Sequence, residues 1–436
     1  MSLHRRELMK RAGIVSAGIA GANRLQASEV AAQDVELTVW DTLNTPPRSD
    51  IADSIVAEFA EAHEGVTAEH RGWALEELVS TLPRSVESNQ GPDVAQVNNG
   101  EALMGPMIRG GQIISLQPYV EQYGWDQLFP AGLAARNMYS ADGTVFGEGE
   151  LWGVSAESEI VGFYYNRTIF SEHGLEVPTT FAEFETLNAT LREHGVEPIA
   201  FGTLDKWQAI HIFGAIQGTY TTREYLDNII YRRNDASFED PSMLDAATKL
   251  VEWNDNGFFM EGFEGINGDD AVPLFTAGMS AMLMQGSWAA GQVGEGLGDD
   301  AGFFLMPPHE AGGTVLHVGG VGIPYSVTTN AEDPELAVEL IASFVSESAN
   351  AKFVEAGILP AGEIPADLVT EGTLSGDLYG NWNTALAADA IGHYLDWATP
   401  DFYDVLTANL QSLLGGQIDP QAFVTALQEV YAASFE

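Results

Sequence analysis

From residue 35 onward, strand-length apolar runs alternate with helix-length amphipathic ones, and this rhythm constrains the fold more than any other feature. Val35 to Trp40 alternates and then turns apolar, as a first strand does. Ile51 to His63 carries apolar residues at helical spacing and stops at Gly65. Val66 to Arg71 predicts a second strand and Leu75 to Val86 a second helix; after the Gly91-Pro92 turn, Asp93 to Val97 predicts a buried third strand. Such alternation produces βαβ units and a largely parallel sheet, so the fold class is α/β. Ligands of such sheets bind outside the carboxyl ends of strands. Trp40 to Asn44, Trp73, Asn98 and Asn99 lie at those ends.

A second α/β segment begins near Ile160, with an apolar run to Tyr165. Tyr164 and Tyr165 face opposite sides of that strand, so at most one reaches a cleft. Thr180 and Glu183 form a capping box for a helix through Leu191. Ile199 to Gly202 predicts a short strand, residues 213–262 a mostly helical stretch, and Ser280 to Met284 a strand that ends at Gln285-Gly286-Ser287-Trp288. Phe303 to Met306 predicts another strand, and helices over 334–346, 349–356, 401–414 and 420–433 finish the chain.

A length of 436 residues favours two lobes over a single core. Asp and Glu number 63 against 18 Lys and Arg, a formal net charge of -45. A field of that sign repels nucleic acid and anionic membranes. The acids are dispersed, as on a surface adapted to high salt, where screening shortens to about 3 Å at 1 M. The chain has no Cys, which excludes disulfides, thiolate metal sites, Cys nucleophiles and a lipid-modified N-terminal Cys.

Residues 1–32 read as an export signal to be set aside from the fold. Arg5-Arg6 stands before Leu8-Met9-Lys10, a weakly apolar stretch runs from Ala12 to Ala22, and Val30-Ala31-Ala32 offers a cleavage site. This order resembles a twin-arginine signal and places the mature chain outside the cytoplasm, periplasmic or extracellular. No other segment reaches the about 18 consecutive apolar residues of a membrane span.

Several motifs stand in a recognisable order: Gly91-Pro92-Asp93-Val94, Leu151-Trp152-Gly153-Val154, Gly162-Phe163-Tyr164-Tyr165-Asn166-Arg167, Phe275 to Met282 running into Gly286-Ser287-Trp288, Gly319-Gly320, and Ala356-Gly357-Ile358-Leu359-Pro360. Together they make the chain similar to the extracellular solute-binding proteins of carbohydrate ABC importers, the maltose-binding-like branch, over nearly the whole mature length. The resemblance implies a two-lobed periplasmic-binding-protein type II fold with three hinge crossings, near Ser155–Glu159, His317–Gly320 and Gly357–Pro360. The lobes implied are 33–156 plus 320–358 and 159–317 plus 361–436. It also implies capture of a mono- or oligosaccharide by a monomer and delivery to the permease subunits of an importer, with no cofactor and no membrane insertion after signal removal.

A sugar presents C–H patches to aromatic faces and hydroxyls to carboxylates and amides. Trp288 matches the position that stacks on sugar in the family, and Trp207 and Trp382 lie where further aromatics are expected. Trp73 reads as a cleft wall, Trp40 as half core, and Trp152 as packing under the first crossing. Glu159 falls on that crossing, where a carboxylate is expected, with Glu157 as the alternate. Asn44, Asn98 and Asn99 are candidate hydroxyl partners that are equally good turn-formers. Gly320 is the candidate at the second crossing.

An enzyme is not expected. The sequence has no G-x-S-x-G, H-E-x-x-H or P-loop, and with 63 acids a carboxylate pair carries no information about a glycosidase. Scattered His residues suggest no metal site. Other ligands stay open: a sugar alcohol, glycerol phosphate, for which only Arg71 and Lys206 are well placed, or a polyamine.

Overall fold

Val35–Asp41 lies inside the first of two large sheets; a two-stranded ribbon, Met138–Tyr139 with Glu150–Leu151, is separate from both. In this computed structural model, residues 35–362 and 364–434 are described; the export signal expected over residues 1–32 lies outside them. Val35–Asp41 pairs in parallel with Val66–Gly72, Val35 opposite Val66, and with Val94–Gln96. Tyr325–Val327 returns late in the chain to close the far edge antiparallel to Val94–Gln96. Leu37 and Val39 point into the core with the buried face of the helix Arg48–Ala62, which carries Ile55, Val56 and Phe59. The helix Pro334–Phe344 adds Val338, Leu340 and Ile341 to the same cluster. The helix Leu75–Glu87 buries Leu78, Leu82 and Val86 in the other core cluster, with Ala95 and Val97.

The second sheet is built on Ser158–Asn166, a nine-residue strand buried at almost every position. The expected parallel arrangement does not extend to it. Met282–Gly286, Ala301–Phe304 and Gly319–Val321 all run antiparallel to that strand, and only Ile199–Ala200 pairs in parallel, with Met282–Gly286. A strand apolar on both faces carries no record of its neighbours' direction, which is why the sequence pattern missed this. The helical stretch expected over 213–262 is three helices, Trp207–Gln217, Arg223–Ile230 and Pro241–Asp255. Thr222 and Asp240 each cap a restart by accepting a backbone N–H.

The three segments expected as crossings run side by side. Glu159 pairs with Gly320, the Ser158 N–H donates to the Leu359 carbonyl at 3.0 Å, and the Ala361 N–H donates to Ala156 at 3.0 Å. Gly320 sits at φ 142°, and a Cβ there would overlap the guanidinium of Arg136. That buried guanidinium donates to the carbonyls of Gly319 and Ile391. Gly320 is therefore a backbone position required by close approach, not a ligand contact as expected; it does not line the cleft described next.

Candidate binding cleft

The carboxyl end of Val35–Asp41 is fixed before it turns toward the cleft. The fully buried Asp41 accepts hydrogen bonds from the Leu43 N–H (2.9 Å) and the Tyr325 hydroxyl (2.7 Å), and pairs with His70 Nε2 (2.8 Å). Gln96 Oε1 accepts from the backbone and hydroxyl of Thr42 at 2.8 and 2.7 Å. The loop thus held, 42–48, forms one wall of a cavity of about 1170 Å³, counting its open mouth. Trp73, Glu76, Asn98 and Asn99 continue that wall; Glu159 and Ile323 lie between the walls; Asp205, Trp207, His211, Asp269, Trp288, Gln292, Tyr394, Asp396, Trp397 and Tyr403 form the other.

The far wall is a basket of rings. Trp207 and Trp288 meet edge to face at 5.9 Å, and His211 packs between Trp207 (5.0 Å), Trp288 (5.5 Å) and Tyr394 (5.2 Å). Gly286 is required here, because a Cβ at that position would overlap the Trp288 indole. The Trp207 indole N–H donates to Asp205 at 2.9 Å, and Asp205 also accepts the Gly268 N–H at 3.0 Å. On the near wall Trp73 is backed by Trp40 at 4.8 Å and by the Arg71 guanidinium at 3.7 Å.

Arg48 reaches the cavity but is occupied by Glu157. Its Nε and Nη2 donate to the two carboxylate oxygens at 3.1 and 2.7 Å, and both side chains are nearly buried. Glu159 instead opens to the cavity, where its Oε2 accepts the Tyr394 hydroxyl at 3.1 Å. Burial, and then the neighbouring charge of Glu157, push its carboxyl up to about 7. Asp396, buried and hydrogen-bonded by Asn98, is pushed up to about 7 by burial. Burial likewise pulls His211 down to about 3, so its ring is neutral.

Of the expected ligand contacts, the cavity brings together Trp288, Trp207, Trp73, Glu159, Asn98, Asn99 and Asn44. Three are corrected. Trp382 is fully buried on the helix Leu374–Ala387 and belongs to the core. Trp40 stands behind Trp73 and does not reach the cavity, and Gly320 is the backbone position already described. Asn99 lines the cavity but turns its amide inward, donating to the Arg136 carbonyl (3.1 Å) and Asn137 Oδ1 (2.6 Å). Glu157, the alternate carboxylate, is tied to Arg48 and does not line the cavity, and neither do Arg71 and Lys206. The sequence missed Tyr394, Asp396 and Trp397, which sit at a single 3-10 turn, Leu395–Trp397, too short to show a periodicity. It also missed His211, which was findable one helical turn after Trp207.

Among the described residues no group of His, Asp and Glu is placed to hold a metal ion, and no helix is long and apolar enough to cross a membrane. Residues 45–351, more than half of the chain, match the family model of the bacterial extracellular solute-binding proteins. The chain belongs to that family. Its fold is that of the two-lobed solute-binding proteins: a protein described in work on xylan utilization by Caldanaerobius polysaccharolyticus superimposes with a TM-score of 0.79 at 22% identity, covering 91% of this chain and 99% of that one. A chitin oligosaccharide binding protein superimposes equally well, with a TM-score of 0.79 at 21% identity over 92% and 99% of the two chains. In sequence, the multiple sugar-binding protein of Streptococcus mutans is 24% identical over 187 residues, 41% of this chain and 44% of that protein. The matches to curated relatives span less than half of those relatives' lengths.

Proposed function

We propose that this solute-binding protein captures a carbohydrate between its lobes and delivers it to the permease of an ABC importer. The observation that carries the reading is the pairing of ring faces (Trp73, Trp207, Trp288) with carboxylate and amide edges (Glu159, Asp396, Asn98) around one cavity. Ring faces suit sugar C–H patches, and charge-assisted hydrogen bonds to hydroxyls are about twice as strong as neutral ones. The S. mutans relative, by its name, binds sugars. Glycerol phosphate fits poorly, because Arg48 is committed to Glu157 and the other charged groups on the cavity are acids.

The lobes in this reading are 33–156 with 320–358, and 159–317 with 361–436, closing about the three adjacent crossings. The chain works as an exported monomer sent out by the twin arginines, without a Cys lipid tether and without catalysis. A thermal-shift panel of mono- and oligosaccharides, sugar alcohols, glycerol phosphate and polyamines tests the ligand class. A saturating ligand at a hundredfold excess over Kd stabilises the native state by about 2.7 kcal/mol. A shift with glycerol phosphate and none with any carbohydrate would overturn the reading.

A further inference from the structure

Five carboxylates line the cleft: Glu76, Glu159, Asp205, Asp396 and, at the exposed rim, Asp269. Among the described residues none of the five has a Lys, Arg or His within ion-pair distance. The partners of the four inner ones are neutral: Tyr403 for Glu76, Tyr394 for Glu159, Trp207 and the Gly268 N–H for Asp205, and Asn98 for Asp396. Arg48 is ion-paired with Glu157, though its charge still favours the ionised forms of Glu159 and Asp269, and Arg71 stacks on Trp73. His211 brings no charge; its Nδ1 is buried and makes no hydrogen bond, although the residue, 7% exposed, lines the cavity.

A cleft that shuts on a neutral ligand must hold these groups either protonated or as desolvated carboxylates with little compensation, and each alternative costs free energy that a cationic ligand avoids. We propose, resting on the carbohydrate reading above, that the ligand is an amino sugar, a carbohydrate whose ammonium group is held by the cleft carboxylates against the ring faces. The ammonium offsets the charge of the carboxylates it meets, and Trp73, Trp207 and Trp288 offer it ring faces for a cation–π contact. The hydroxyls take the hydrogen-bonding positions that Asn98 and Gln292 have left beyond their bonds to Asp396 and Thr45, for which a polyamine has no use. The raised carboxyls of Glu159 and Asp396 fit this role, because an arriving ammonium favours their ionised form.

The test is isothermal titration of the purified chain at pH 6.5, in salt that keeps it folded. The probes are glucosamine, galactosamine and the fully deacetylated chitosan disaccharide, each against its neutral parent sugar and its N-acetyl form, with spermidine alongside. At least one amino sugar is expected to bind tenfold or more tighter than both neutral counterparts. Asp396→Asn and Glu159→Gln should each cut that preference below threefold, and a variant that keeps the full preference would remove its carboxylate from the role. The wild-type ratio decides the matter if either variant fails to fold. Neutral sugars binding as tightly as the amino sugars would overturn the amino-sugar inference and leave the carbohydrate reading standing. Spermidine binding with no sugar of either kind would overturn both, and no binding of any amino sugar would overturn the inference itself.

Discussion

The carboxylate of Glu76, at the start of the helix Leu75–Glu87, accepts a 3.0 Å hydrogen bond across the cleft from the hydroxyl of Tyr403, on the helix Phe402–Leu414. A second bridge joins the same two walls, where Gln292 Nε2 donates to Thr45 Oγ1 at 3.1 Å. In the hinge-closing reading proposed above, both bonds exist only while the walls are close, and they favour the closed arrangement by their own free energy. Tyr403→Phe removes one donor and leaves the ring in place. A hydrogen bond to a charged group contributes about 1.5 kcal/mol or more, so ligand affinity should fall about tenfold. The loss should appear as faster release in stopped-flow tryptophan fluorescence, with the melting temperature of the free protein little changed.

The tryptophans divide by position, and truncation should separate them. Trp288→Ala removes a cleft face that is partly open to ligand, so it should abolish most of the ligand-induced thermal shift while the free protein stays folded; Trp207→Ala, at a ring only 9% exposed, should lose the shift and also lower free-protein stability. Trp382→Ala empties a fully buried site on the helix Leu374–Ala387 and should destabilise the free protein by about 3–5 kcal/mol, leaving the ligand increment intact in whatever remains folded. Chemical denaturation with and without ligand measures both effects. A normal ligand increment in Trp288→Ala would remove that ring from the binding surface.

This division shows where the sequence is informative. The strands Val35–Asp41 and Val66–Gly72 were legible because each is a short apolar-patterned run followed by an amphipathic helix, and their carboxyl ends located Asn44 and Trp73 on the cleft. The order of the second sheet was not legible, since Ser158–Asn166 is buried on both faces and its antiparallel neighbours come from residues more than a hundred positions later. Trp382 and Trp288 look alike in sequence, each a Trp beside small polar residues. Only packing distinguishes a ring placed by Gly286 at an open wall from one facing inward on an amphipathic helix. Asp396 and Tyr403 were invisible for a different reason: they reach the cleft through tertiary packing of the C-terminal helices, which leaves no local signature.

His70 links the cleft loop to pH. Its side chain, 4% exposed, lies between Asp41 at 2.8 Å and Asp53 at 2.7 Å. Burial pulls its pKa down, but the hydrogen bonds and charges of the two carboxylates outweigh this and raise it to about 9. A folded value above the unfolded one, about 6.5, means the native state holds the proton more tightly. The stabilisation is complete below about pH 6.5 and is lost as pH rises through about 9. Melting temperature should therefore fall between these values. His70→Gln should remove that slope and lower stability at pH 6 by on the order of 1–2 kcal/mol, because Asp41 loses a charged partner. An unchanged slope in the variant would assign it to other groups.

Asp396 should show the opposite response to neutralisation. Its carboxyl is buried beside Asn98 with no cation near it, and burial raises it to about 7 from the usual carboxylate range near 4. In the free protein the proton is bound more tightly by the native state, so this residue's contribution is fully present below about pH 4 and disappears as pH rises through about 7. Above that pH, folding must hold an uncompensated carboxylate in the cleft wall. Asp396→Asn fixes a neutral group of the same shape. The variant's advantage over the wild-type protein should grow by on the order of 2–3 kcal/mol between pH 5 and pH 8, measured by chemical denaturation without ligand. Saturating ligand should reverse the ranking at pH 8, because the charge that is unfavourable in the empty cleft is the one the bound ammonium compensates. A variant that is less stable than wild type at both pH values would show that Asp396 is held ionised by the cleft, and that its burial is compensated before any ligand arrives.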